Sequence, residues 1–255
     1  MSTVTVLDGA PRAFDRRDAS RMDAPAKATL ARLRAAAAGL DAKAIVALSI
    51  KEFPGRVAMV SSFGSESAVL LHMLSEIDPD TPVLFLNTGK LFGETLRYRD
   101  RLQDRLGLGD VRSLAPHALQ RVARDPDDTL WSRDTDACCS LRKVNPLRHA
   151  LEGFDAQITG RKRFQTRERA AMAAVEHFEG RFRFNPLADW SQADLDSYMN
   201  RHDLPRHPLV EDGYPSIGCM PCTRRVAPGE GYRDGRWAGL DKDECGIHGL
   251  DGDGI

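Results

Sequence analysis

The chain predicts an α/β fold, a parallel, doubly wound sheet flanked by helices. Three observations predict it. Short apolar runs recur at residues 57–60, 82–86 and 156–159, each of a length suited to a buried strand. Segments at helical spacing lie between them, an apolar one at 68–74 and a charged amphipathic one at 94–106. A Ser/Gly-rich turn, Ser61 to Ser67, joins the first strand to its helix, as strand–loop–helix units require.

In chain order, residues 1–22 show no clear period. Asp23 caps a helix expected to about residue 38, with Pro25 tolerated in its first turn and Gly39 ending it. Asp41 caps a second over 42–53, closed by Pro54-Gly55. The strand at 57–60, its helix, the strand at 82–86 and the helix at 94–106 follow, then a third strand at 111–114. A helix from Cys138 is expected to reach Gly153, with Pro146 kinking or splitting it. A fourth strand occupies 156–159 and an extended piece 183–187. Ser191 with Asp194 opens a further helix to about residue 200. Beyond Cys222 apolar residues thin out, so 223–255 reads as a flexible C-terminal tail outside the core. The expected division is a helical extension at 1–40, one α/β domain at 41–222 and a tail at 223–255 that carries a thiol.

With 255 residues, the chain is long enough for one domain with terminal additions. Hydrophobic residues make up 42% and charged ones 29%, ordinary for globular material, and the net charge of −1 argues against a general polyanion binder. An anion site must then be built locally from arginines and lysines. No apolar run reaches the roughly 18 residues of a membrane helix. Four aspartates within residues 1–23 are unlike a secretory signal, so a cytoplasmic protein is expected. In a reducing compartment, clustered cysteines point to metal or catalysis before disulfides.

Ligands in open α/β sheets bind at the carboxyl ends of the strands. Ser61-Ser62-Phe63-Gly64 follows the first strand, where small residues and the next helix's N-terminus favour an anion. It is neither a Walker loop nor a G-x-G-x-x-G, and as a lone signal it is weak. Asn87-Thr88-Gly89-Lys90 closes the second strand at the same edge. Thr159-Gly160-Arg161-Lys162-Arg163 ends the fourth; three consecutive cations usually make a solvated face, but here they fall where phosphates would lie.

The five cysteines divide four to one. Cys138-Cys139 and Cys219-Met-Pro-Cys222, about 80 residues apart, fit four-thiolate ligation of zinc or of an iron–sulfur cluster. The adjacent pair weighs against a zinc ribbon, because neighbouring helical side chains diverge by about 100° and converge poorly on one small ion. Buried structural cysteines are the bland alternative, common for one cysteine and rare for this set. Lys143, four residues after Cys139, falls on the same helical face. Cys245 has no partner in sequence; Arg233, Arg236 and His248 nearby favour a nucleophile over an inert thiol.

These segments, with Leu86-Asn87-Thr88-Gly89-Lys90-Leu91-Phe92-Gly93-Glu94-Thr95, Arg142-Lys143, Gly218-Cys219-Met220-Pro221-Cys222-Thr223-Arg224 and Glu244-Cys245-Gly246-Ile247-His248, form an ordered set from about 57 to 248. As a set the chain resembles the assimilatory sulfonucleotide reductases, specifically the bacterial iron–sulfur adenylyl-sulfate reductases. The resemblance implies an adenine-nucleotide α-hydrolase-like, Rossmann-like domain. It implies a [4Fe–4S] cluster on Cys138, Cys139, Cys219 and Cys222, and Cys245 as nucleophile served by His248. Lys143, Lys162, Arg163, Arg233 and Arg236 would contact the phosphosulfate of adenosine 5′-phosphosulfate. Two positions depart from the family pattern: Phe164 stands where an acidic residue is usual, and Gly93 where proline is expected. Attack by Cys245 would leave S-sulfocysteine, and with no further cysteine available an external dithiol, thioredoxin by the resemblance, would release sulfite. Self-association is compatible with this reading. The rivals are reduction of the 3′-phosphorylated substrate, a non-redox nucleotide-binding iron–sulfur protein of the same fold, and a purely structural metal module. ATP-using relatives carry Ser-Gly-Gly-x-Asp-Ser, whereas this loop reads Ser-Phe-Gly-Ser-Glu-Ser.

Overall fold

The structure is a computed structural model describing residues 22–167, 169–240, 242 and 244–247. Expectations for residues 1–21 and for His248 fall outside the described residues.

Helices α1 (Ala24–Ala37) and α2 (Ala42–Glu52) begin where the sequence places their caps. The Asp23 and Asp41 carboxylates accept from Ala26 N and Ala44 N, each at 2.8 Å. Strand β1 (Val57–Ser61) leads to α3 (Ser67–Ser75), β2 (Val83–Leu86) to α4 (Gly93–Leu106), and β3 (Val111–Leu114) to α5 (Ala118–Arg124). Two short helices, α6 (Leu130–Arg133) and α7 (Thr135–Cys139), precede α8 (Asn145–Ala150). Strands β4 (Ala156–Thr159), β5 (Val175–Phe178) and β6 (Arg181–Phe184) and helix α9 (Gln192–Arg201) follow. The expected Ser191–Asp194 box opens α9, with Asp194 N donating to Ser191 Oγ at 3.2 Å and Ser191 N to Asp194 at 2.8 Å.

The sheet runs β3-β2-β1-β4-β6-β5, parallel except for β5, which pairs antiparallel with β6. Alternation along the strands sends side chains to both faces. Val57, Met59, Val83 and Phe85 enter a large core with α1–α4 and α9. Ala58, Val60, Leu84 and Leu86 enter a second one against Leu147 and Leu151. Both faces are therefore covered, which is why these strands are apolar throughout. Chain order reverses between β1 and β4, and their carboxyl ends open there into a crevice.

Three corrections follow. The helix expected from Cys138 is interrupted upstream of proline: a π-turn occupies Ser140–Val144, and Pro146 sits comfortably in the first turn of α8. The extended piece expected at 183–187 begins earlier, at Arg181, and has an unforeseen partner in β5. The segment after Cys222 contributes to the interior, since Trp237 is 3% exposed. Among the described residues no helix is long and apolar enough to cross a membrane.

Candidate active site

The crevice is a cavity of about 200 Å³. Ser61, Ser62 and Gly64 line it at the end of β1, Leu86 and Thr88 at the end of β2, and Gly160, Arg161 and Lys162 beyond β4. The C-terminal segment closes it with Tyr232, Arg233, Arg236, Trp237, Glu244 and Cys245. Lys143 enters from the π-turn.

Four expected contacts do not line this cavity. Phe63 has φ of +48° and is fully buried, its ring 5.2 Å from that of Phe85, so the turn directs it into the core. Asn87 accepts from Gly89 N at 3.2 Å, and Gly89 has φ of +70°: the pair shapes a turn. Arg163 turns outward, donating to Met172 O at 2.7 Å and pairing with Asp189. Lys162 does line the cavity, but its ammonium is ion-paired with Glu66. Sequence reasoning missed Glu66, Tyr232 and Arg169. The Glu244 carboxylate accepts from Arg169 Nη2 at 2.7 Å, which anchors the residue before Cys245. Ile247 packs against the second core just after it.

The two cysteine pairs meet at a smaller cavity lined by Cys138, Cys139, Cys219 and Cys222 with Lys90, Arg142 and Lys143. The loop bearing Cys219 hangs on the exit of β2, with Met220 N donating to Lys90 O at 2.7 Å and Leu91 bridged to Cys219. Asp134 caps α7 by accepting from Ala137 N at 2.8 Å, which places the adjacent pair. Burial pushes the Cys138 thiol up to about 11 and that of Cys139 up to about 12. Cys219 is opposite in sign. Burial alone would raise it, but Lys143, the Thr88 hydroxyl at 3.3 Å and Arg236 together lower it. Burial likewise opposes the charge of Lys143, and its neighbours Cys219, Cys245 and Cys139 override it and raise its pKa. Lys143 and Cys219 line both cavities, so the thiol group and the crevice share one wall.

The cations divide by partner. Arg142 is buried against Asp125 and Asp128 and donates to Thr88 O at 2.8 Å. Arg161 is paired with Glu176. Among the described residues no carboxylate lies within ion-pair distance of Lys143 or Arg236. The Arg236 guanidinium stacks 4.4 Å over the Trp237 ring. It also lies where a Cβ on Gly218 would be, 2.3 Å away. A cavity lined by Lys143 and Arg236, neither with a carboxylate partner among the described residues, by the Cys245 thiol and by strand ends suits a polyanionic nucleotide open to nucleophilic attack.

Residues 56–225 match the family model of the phosphoadenosine phosphosulfate reductase domain. The chain belongs to that family. The adenosine 5′-phosphosulfate reductase of Chelativorans sp. is 52% identical, over 82% of this chain and 86% of its own. The phosphoadenosine 5′-phosphosulfate reductase of Xanthomonas euvesicatoria is 41% identical, over 85% and 91%. The crystal structure of the phosphoadenylyl-sulfate reductase of Candida auris superposes with a TM-score of 0.67 over 81% of this chain and 98% of that one. At 22% identity this likeness bears on the fold alone.

Proposed function

We propose that the chain reduces adenosine 5′-phosphosulfate to sulfite and AMP. The observation that carries this reading is Cys245 lining the strand-end cavity together with Lys143, Arg233 and Arg236. The Cys245 thiolate attacks the sulfate sulfur. A Cys245 S–S bond forms, the sulfur–oxygen bond to phosphate breaks, and the electron pair leaves on the AMP oxygen. Lys143, Arg233 and Arg236 offset the charge on substrate and leaving phosphate, and Ser61, Ser62 and Gly64 offer donors and close approach. The enzyme is left with S-sulfocysteine. A thiolate of a reduced dithiol then attacks Cys245 Sγ and sulfite departs with the bonding pair, leaving a mixed disulfide; the second thiol of the donor breaks it, so that Cys245 leaves as thiolate and the dithiol ends as a disulfide. The chemistry requires an external dithiol, and reduced thioredoxin in the cytoplasm is the donor proposed. On this reading residues 41–222 bind nucleotide and cluster, and 223–255 carry the catalytic thiol.

The residues at the smaller cavity fit a [4Fe–4S] cluster by their donor chemistry. The four cysteines line one space with Lys143, which has no carboxylate partner among the described residues, beside them to balance thiolate charge, and the adjacent pair suits separate iron corners. Among the described residues no three His, Cys, Asp or Glu side chains form a group suited to a metal ion. Cys138, Cys139, Cys219 and Cys222 would hold the cluster. It would supply iron–sulfur bonds that clamp α7 to the Cys219–Cys222 loop, and a local charge beside Lys143.

The experiment is an anaerobic assay with adenylyl sulfate and reduced thioredoxin. Sulfite and AMP in equal amounts are expected, and no AMP release refutes the reading. The name of the Xanthomonas relative favours a 3′-phosphorylated substrate as a second reading. The cluster-type cysteine set favours the unphosphorylated one, and competition between the two substrates separates them.

A further inference from the structure

Glu66 stands at the start of α3, buried, and its two oxygens gather three side chains from two separate stretches of chain. One accepts the Tyr232 hydroxyl at 2.7 Å. The other takes the Lys162 ammonium, and Gln165 Nε2 at 3.1 Å. The Tyr232 oxygen also lies 3.1 Å from Ser65 Oγ, whose hydroxyl donates to Pro215 O at 2.7 Å. Phe164 sets its ring against Tyr232 at 6.4 Å between centroids and 71° between planes. Burial, with the Glu66 charge adding to it, raises the Tyr232 pKa and keeps the phenol a donor.

A carboxylate in the wall of a cavity meant for a polyanion is adverse unless compensated. Lys162 compensates it, and the ion pair then spends both charges on each other. What remains is a fixed acceptor oxygen, Oε1, held towards Tyr232. A tyrosine side chain turns about only two bonds, so pinning its tip pins its backbone. The next residue is Arg233, which lines the cavity.

We propose that Glu66 and Tyr232 are positioning residues: their hydrogen bond sets Arg233 in the anion-binding wall, and Lys162 serves to hold Glu66, with no direct substrate contact of its own. The proposal rests on the reductase reading above. It predicts coupling between Tyr232 and Arg233 that a merely structural tyrosine would not show.

The test is a double-mutant cycle of Tyr232→Phe and Arg233→Ala, read by kcat/KM for adenylyl sulfate with reduced thioredoxin and by AMP affinity in calorimetry. Tyr232→Phe keeps the ring and its packing. It should lower kcat/KM about tenfold, in the range of one hydrogen bond to a charged group, with the thermal midpoint kept. Arg233→Ala should lower it further, and the double variant should match Arg233→Ala alone. A Tyr232→Phe protein at wild-type kcat/KM, or a double variant lower by the full product of the two factors, overturns the proposal. A wild-type protein that releases no AMP overturns the reductase reading instead. The calorimetric cycle then decides: AMP affinity lowered by Tyr232→Phe, and lowered no further when Arg233 is already alanine, supports the positioning role, and unchanged affinity overturns it.

Discussion

Arg142 and Lys143 are neighbours in sequence, both buried, and their charges are used in opposite ways. Arg142 faces Asp125 and Asp128 and ties the segment before α6 to the loop after β2. Lys143 faces thiols and an open cavity. The π-turn that holds both residues sends successive side chains to these two destinations. The contrast teaches how to sort the remaining cations. Those closed by carboxylates, such as Arg161, Lys162 and Arg163, are framework, and those that face the crevice without one are candidates for charge stabilisation.

The contrast predicts different failures. The largest concerns the thiol that the cations surround. Cys245→Ser should abolish turnover while AMP still binds, because an unassisted serine hydroxyl is a poor nucleophile. Incubation with substrate and no reductant should add one sulfonate to the wild-type peptide containing Cys245, and a sulfonate found on any other cysteine would sink the assignment. Cys138→Ser and Cys219→Ser should each lose iron and broad visible absorption in anaerobic preparations, because each removes a ligand. Zinc in place of iron in the wild-type protein would refute the cluster.

Next come the two neighbours. Lys143→Ala should lower kcat/KM by about ten- to thousandfold, if it supplies one charge-assisted contact worth roughly 1.5–4 kcal/mol. Arg142→Ala should instead leave Asp125 buried without its cation and lower stability by about 3–5 kcal/mol, read by denaturant unfolding. Equal kinetic losses at matched stability would erase the distinction between them. Gly218→Ala should displace the Arg236 guanidinium and lower kcat/KM by about tenfold, in line with a weakened charge-assisted contact, with little loss of stability. The smallest effect belongs to Arg163→Ala. Its pair with Asp189 is half-exposed, so stability should fall by less than about 1 kcal/mol and kinetics should stay near wild type.

Much of the frame was legible because it rests on periodicity and caps. Apolar runs at β1, β2 and β4 and the carboxylate caps at Asp23 and Asp41 carry their own physical signals. Strand β5 was not legible. Val175, Glu176, His177 and Phe178 lack clean alternation, and β5 forms as the antiparallel partner of β6. The gathering of Cys138, Cys139, Cys219 and Cys222 at one cavity matches their grouping in sequence. Side-chain direction in irregular segments was illegible: nothing in Lys162-Arg163 says which cation turns inward. Glu66 carries no pattern either, being a lone carboxylate in a serine-rich turn whose partners lie 96 and 166 residues away. Phe63 was misread as lining because a single positive φ reverses where its side chain goes.

The two rims of the sheet bear on how the protein behaves in concentrated solution. A free strand edge is a template for pairing with another chain. At one rim β3 is only four residues long, and its Arg112 is held by Asp110, with Arg112 Nε to Asp110 Oδ1 at 2.9 Å. At the other, β5 is equally short and α1 lies against it, with Arg34 Nε donating to Val175 O at 2.9 Å, while its Glu176 pairs with buried Arg161. Short, occupied rims discourage edge-to-edge stacking, so an otherwise apolar, mostly parallel sheet is shielded against self-templated aggregation while its binding crevice opens elsewhere, at the strand ends.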